Sequence, residues 1–216
     1  MTPKLVIFDC DGVLVDTEPT TDRIIAARLT AHGLPLAPEE TSEMFIGGTI
    51  QGIADEAGRR GVDLPDDWVE GTYAEMFTAL AQGVPVFDGV VALLDQLVAA
   101  NIATAIASNG PMSKMEITLT PSGLINRFTG RIYSGHDYRP KPDPTLIHHA
   151  MTIADVTPED TVFIDDSVNG AKAGIAAGVR TLGFAPDGDD GRRAALGVEV
   201  VGSMAEIAIR LGLTSA

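Results

Sequence analysis

The chain has 216 residues, of which 45% are hydrophobic and 21% charged, and its formal net charge is −15. That length accommodates one core domain of ordinary size plus an insertion, and that composition excludes a disordered chain. The acidity argues against broad binding to nucleic acid or to an anionic membrane, both of which require a basic surface.

Lys4–Phe8 is an apolar run of strand length that leads straight into Asp9-Cys10-Asp11-Gly12. From Asp16 to Val84 no strand pattern follows, only helix signals. Asp16 or Thr17 is placed to cap a helix running toward His32, and Gly33 stops it. Pro38-Glu39-Glu40 reads as a helix start, Gly47-Gly48 as a break and Gly61 as a stop. Asp66-Asp67-Trp68 opens another segment toward Gln82, which Gly83 ends. Beyond it, short buried strands at Ala103–Ala107, Arg131–Tyr133, Thr161–Ile164 and Arg180–Phe184 alternate with helical segments over 89–100, 112–120, 144–153 and 168–177. Pro186–Arg193 is a polar loop and Ser203–Leu213 a closing helix. This alternation predicts an α/β fold: a parallel sheet covered by helices on both faces and joined by right-handed crossovers. The helical interval over 16–84 is then an insertion into a core of residues 1–15 and 85–216.

Ligands of open parallel sheets bind beyond the carboxyl ends of the strands. The first strand delivers Asp9 and Asp11 there, and the second delivers Ser108-Asn109-Gly110. Lys141 follows the third strand after a short loop, and the fourth ends in Asp165-Asp166-Ser167. Side chains alternate along an extended chain, so Asp9 and Asp11 share a side while Cys10 points away as a packed thiol. A carboxylate ending an apolar strand needs a compensating charge. A magnesium ion, with its preference for hard oxygen ligands, would supply one. Ser167 reads as a helix N-cap, His148 and His149 as structural, and His136 as a weak candidate in the loop before Lys141.

The run VIFDCDGVLVD resembles the first motif of the haloacid dehalogenase-like (HAD) hydrolases, ASNG their second, KPDP their third and FIDDSVNG their fourth. The four occur in order over most of the chain, and the helical insertion is similar to the family's subfamily I cap. Within that group, SNGPMSKM, YSGHDYRPKPDP and IDDSVNGAKAGIAAG are similar to bacterial sugar-phosphate phosphatases of the 6-phosphogluconate phosphatase and β-phosphoglucomutase-like group. The resemblance implies a Rossmann-like parallel sheet core with an all-helical cap, and a Mg2+-dependent phosphatase of small phosphate monoesters, sugar or sugar-acid phosphates among them. It implies that Asp9 is a nucleophile forming an aspartyl-phosphate and Asp11 the general acid and base. Ser108, Asn109 and Lys141 would bind the phosphoryl group. The metal would be held by Asp9, the Asp11 carbonyl and Asp166, with Asp165 as a further ligand or as a support. Glu18, Thr49, Gln51 and Lys114 are the positions placed to contact the leaving group.

Within such a family Asp11 argues against a dehalogenase, whose leaving group needs no proton. The predicted insertion holds Arg23, Arg28, Arg59 and Arg60 but no lysine, which excludes a Schiff-base phosphonatase. A β-phosphoglucomutase-like phosphomutase is the rival reading; the loop Ile46–Gly52 lacks the positive charge that a second phosphate would want. A non-catalytic binding protein of the same fold is a further alternative, disfavoured by the complete carboxylate set. The expected partner is a small phosphate ester, with no nucleic acid and no membrane, and the resemblance implies a monomer. No stretch approaches the roughly 20 apolar residues that span a bilayer. The single cysteine excludes an intramolecular disulfide, and the start of the chain shows no signal-peptide pattern. A cytoplasmic location is the expectation.

Overall fold

The computed structural model describes residues 2–38, 40–41, 49–188 and 191–213. These divide into two compact units, residues 1–16 with 85–216, and residues 17–84. Asp16 falls with the first unit, where its N–H donates to the Pro85 carbonyl at 2.9 Å.

The first unit is built on strands β1 (Leu5–Phe8), β2 (Ala103–Ser108), β3 (Ile132–Ser134), β4 (Thr161–Asp165), β5 (Arg180–Phe184) and β6 (Glu199–Val201). Among the described residues they form one parallel sheet in the order β3-β2-β1-β4-β5-β6. The central strands are buried along their whole length, as expected where helices cover both faces, so they read as unbroken apolar runs rather than alternating ones. The first and fourth strands meet in register, Phe8 opposite Ile164, and this sets Asp9 and Asp165 at the same height on the sheet edge.

The helices of this unit are α4 (Val90–Ala99), α5 (Met112–Leu119), α6 (Thr145–Ala154), α7 (Val168–Ala177) and α8 (Met204–Arg210). The alternation along β1 sends Leu5 and Ile7 to the face where Leu146, Ile147 and Met151 of α6 and Ala173 of α7 close the core. On the other face Phe8 meets Phe128 edge-on, with ring centres 6.2 Å apart. Helix α4 packs against α8 and β2.

In the second unit, α1 (Glu18–Ala31), α2 (Ile50–Arg59) and α3 (Trp68–Leu80) enclose a small core of Ile24, Ile25, Leu29, Ile53, Ala57, Trp68 and Met76. Arg28 lies over the Trp68 ring at 5.6 Å, donates to the Trp68 carbonyl and pairs with Glu75. Thr17 is the N-cap of α1 without a side-chain cap bond. Pro38 does open a turn, in which Ala37 N–H donates to Glu40 Oε2 and Thr41 N–H to the Ala37 carbonyl. Glu39, Gly47 and Gly48 lie outside the described residues.

The sequence reading differs from the structure mainly at β6, which it did not anticipate. Three residues at a sheet edge carry too little periodicity to separate from a loop. Strands β2, β3 and β4 also extend one residue beyond the apolar run. Parallel pairing continues through Ser108, Ser134 and Asp165, and these three polar residues are buried as a result.

Candidate active site

Asp9, directly beyond β1, is buried, with 8% exposure. Its N–H is held by the Ile164 carbonyl, and its Oδ1 accepts from Cys10 N–H at 2.7 Å and from Lys141 Nζ at 2.9 Å. Burial pushes the Asp9 carboxyl up to about 7; Lys141 opposes the rise, while Asp165 and Asp11 add to it. Cys10 is fully buried and turned into the core, and burial followed by the Asp11 and Asp9 charges keeps it a thiol.

Lys141 is almost completely enclosed. Its Nζ bridges Asp9 and Asp165 Oδ2, the latter at 2.6 Å, and sits 5.6 Å from the centre of the Phe163 ring. Burial works against its charge, but Asp165 and Asp9 outweigh it and hold the ammonium protonated far into the alkaline range. The backbone of Lys141 is fixed by the side chain of Asn109, whose Oδ1 accepts from Lys141 N–H at 2.7 Å and whose Nδ2 donates to the Lys141 carbonyl at 3.0 Å. The Asn109 side-chain amide is thereby committed to positioning Lys141.

Ser108 ends β2 buried, and its Oγ accepts from Gly110 N–H at 3.2 Å. Ser134, which sequence reasoning did not single out, ties the end of β3 to this loop by donating to the Gly110 carbonyl at 2.8 Å. Its only sequence signal is a polar residue just after an apolar run.

Asp165 and Asp166 play different parts. Asp165 is inaccessible, with Oδ2 on Lys141 and Oδ1 accepting from Ser167 N–H and Oγ. Ser167 in turn caps α7 by accepting from Gly170 N–H at 2.9 Å, the role expected for it. A Cβ at Gly170 would stand 1.8 Å from Asp165 Cγ, so only glycine lets the helix come this close. Asp166 lies against Gly12, where an added Cβ would stand 2.3 Å from its Oδ2. Gly12 also has φ +76°, a turn that a side chain would strain. Behind Asp166, Arg193 donates through Nη1 to the carbonyls of Asp166 and Phe184. Nothing in the polar run around Arg193 signals this support.

Carboxylate oxygens of Asp9, Asp165 and Asp166 come within 4.8 Å of one another. The donors are all hard oxygens, and two of the three carboxylates, Asp9 and Asp165, are buried. This set fits a divalent cation.

The remaining sequence candidates have the following partners. Lys114 is no surface charge: its Nζ donates to Asp11 Oδ2 at 2.9 Å. Glu18, Thr49 and Gln51 belong to the 17–84 unit. Thr49 caps α2 by accepting from Gly52 N–H at 3.0 Å, Gln51 donates to Asp55 at 2.9 Å, and Glu18 is exposed in the first turn of α1. Ile46 of the expected substrate loop is outside the described residues. His149 accepts or donates with Tyr138 Oη at 3.0 Å and meets Tyr133 edge-on, a structural role, and His136 is exposed.

The haloacid dehalogenase-like hydrolase family model matches residues 3–178. The chain is 35% identical over 187 residues to 6-phosphogluconate phosphatase of Escherichia coli K12, covering 85% of this chain and 83% of that protein. It is 30% identical over 185 residues to phosphoglycolate phosphatase 1 of Pseudomonas aeruginosa PAO1, covering 82% and 68%. A solved HAD family hydrolase from Deinococcus radiodurans R1, with bound phosphate and sodium, is similar with a TM-score of 0.85 and 30% identity, covering 99% of this chain and 98% of that one. With the four strand-end clusters gathered on one edge of the sheet, the chain belongs to the haloacid dehalogenase-like hydrolases and is a phosphoric monoester hydrolase.

Proposed function

We propose that the protein is a Mg2+-dependent phosphatase that transfers the phosphoryl group of a small sugar-acid phosphate to Asp9 and then to water. The observation that carries this reading is the Asp9–Lys141–Asp165 ion cluster, with Asp166 beside it and Asp11 two residues from the nucleophile. An Asp9 oxygen attacks phosphorus in line, the bond to the leaving oxygen breaks, and Asp11 gives that oxygen a proton. Water then attacks the aspartyl-phosphate while Asp11 takes the proton back, so inorganic phosphate leaves and Asp9 is restored. Lys141 and Ser108 hold the phosphoryl oxygens, and Lys141 keeps the Asp9 carboxylate aimed. Asp9, Asp166 and the Asp11 carbonyl would hold the cation; Asp165, with both oxygens engaged, supports from behind. The cation supplies charge that offsets repulsion between carboxylate and phosphate and stabilises the transferring group.

The substrate class rests on the relatives. Gluconate and glycolate both carry a carboxylate in the alcohol released from the phosphate, and we extend that property to the leaving group here. The 17–84 unit acts in this reading as the cap that selects it, with Glu18, Thr49 and Gln51 as the positions to examine.

The test is phosphate release from 6-phosphogluconate, phosphoglycolate and glucose 1-phosphate. Activity is expected with Mg2+, lost in EDTA and restored by excess Mg2+. Asp9→Asn should lower kcat by on the order of 10³-fold or more. Undiminished hydrolysis by that variant would overturn the nucleophile, and conversion of glucose 1-phosphate to glucose 6-phosphate without phosphate release would establish a mutase instead.

A further inference from the structure

The acid/base carboxylate has a partner that stands outside the strand-end motifs. Lys114 lies in the first turn of α5, and its Nζ reaches across the edge of the sheet to Asp11 Oδ2 at 2.9 Å. Both side chains are largely enclosed, with exposures of 18% and 26%. A cation in the first turn of a helix opposes the helix dipole, so the helix offers no reason for a lysine there. Asp11 does. The backbone at Lys114 is pinned on both sides, its N–H donating to the Pro111 carbonyl at 3.0 Å and its carbonyl accepting from Thr118 Oγ1 at 3.1 Å. The stem passes over Gly110, where an added Cβ would find Ser108 Oγ at 3.5 Å, Lys114 Cδ at 3.7 Å and Asp11 Oδ2 at 3.8 Å. Lysine stem, phosphoryl-binding hydroxyl and acid/base carboxylate thus meet around one glycine.

We propose that Lys114 is a positioning residue for Asp11, holding Oδ2 so that Oδ1 is the oxygen that exchanges the proton with the leaving group. An ammonium carries three donors and no acceptor, so a proton on Asp11 cannot sit between the two groups and must occupy the other oxygen. The contact ties Oδ2 and thereby selects the oxygen of Asp11 that carries the proton. This rests on the reading of Asp11 as general acid and base, and it assigns Lys114 to the proton step rather than to binding the leaving group.

The experiment compares kcat/KM for 6-phosphogluconate, glucose 6-phosphate and p-nitrophenyl phosphate in the wild type, Lys114→Met, Lys114→Arg, Asp11→Asn and the Met/Asn double variant, all with Mg2+. Nitrophenolate leaves without a proton, so p-nitrophenyl phosphate bypasses the acid. Lys114→Met, which keeps the stem, should lower kcat/KM for both sugar phosphates by about 10- to 100-fold. The loss on p-nitrophenyl phosphate should be at least several-fold smaller, and Lys114→Arg should recover part of the difference. The double variant should lose little beyond Asp11→Asn, because the two residues act as a unit. Equal losses on all three substrates, or none, would overturn the inference. So would a loss confined to the carboxylate-bearing 6-phosphogluconate, which would make Lys114 a contact for the leaving group. If Asp11→Asn itself hydrolyses the sugar phosphates at the wild-type rate, the acid/base reading falls; if it does not and Lys114→Met equals wild type, only the role of Lys114 falls.

Discussion

Asp9 concentrates the physics of this protein in one carboxyl group. It is buried because β1 carries it into the sheet edge, and burial pushes it up to about 7 from its ordinary 3.8. A raised carboxyl binds its proton more tightly in the folded state than in the unfolded chain. Its contribution to stability is therefore full below the ordinary carboxylate range and is lost as pH rises through about 7. A cation that needs the carboxylate must displace that proton. Mg2+ affinity should fall as pH drops below about 7, by at most about tenfold per pH unit for one displaced proton, and level off above it. Metal titration followed by calorimetry, or the Mg2+-induced rise in Tm, at pH 5.5 and pH 8 measures this. Equal affinities at the two values would show that Asp9 does not take part in metal binding. The site at this scale was largely legible in the sequence. Asp9, Asp11, Lys141 and Asp166 each stand at a strand end or in a motif that fixes their neighbourhood. Arg193 and Ser134 were not legible, because each acts by a hydrogen bond to a backbone that is distant in sequence.

Among the elements, the two loops beyond β2 and β3 behave as one device. Asn109 on the first grips both the N–H and the carbonyl of Lys141 on the second, so the lysine's direction is set from a neighbouring strand. Asn109→Ala removes that grip without touching the Lys141 side chain. It should lower kcat by about 10- to 100-fold, since a displacement of the order of 1 Å in a catalytic group carries a cost of this size. Asn109→Asp, which keeps the acceptor for Lys141 N–H, should retain more activity than alanine. An alanine variant with wild-type kcat would show that Lys141 is held without this contact. The family resemblance implied a phosphoryl contact for Asn109, the residue after Ser108. Its side chain was drawn away because the parallel pairing of β2 and β3 brings the KPDP loop alongside. Element boundaries moved by single residues for a related reason: the backbone ladder continues one residue past the apolar run when a neighbouring strand supplies partners.

For the molecule as a whole, a formal charge of −15 opposes an anionic substrate approaching from solution. Screening should relieve that repulsion, with a Debye length that shortens from about 30 Å at 0.01 M to about 8 Å at 0.15 M salt. At saturating Mg2+, kcat/KM for a sugar-acid phosphate should therefore rise as NaCl is raised over this range. A steep fall would mean that exposed cations near the site steer the substrate and dominate the global charge. The same scale shows what each source of information decides. By itself the sequence determined the α/β core, the helical interval after β1, and the acidic, serine and lysine groups at strand ends, because apolar periodicity and strand-end chemistry are local properties. Only the tertiary structure decided how these groups share their work. Lys141 between Asp9 and Asp165, Asp166 against Gly12, Asn109 on the Lys141 backbone and Lys114 on Asp11 are contacts between strands and helices far apart in the chain. Their geometry is set by the register and packing of a parallel sheet, which no local pattern of residues encodes.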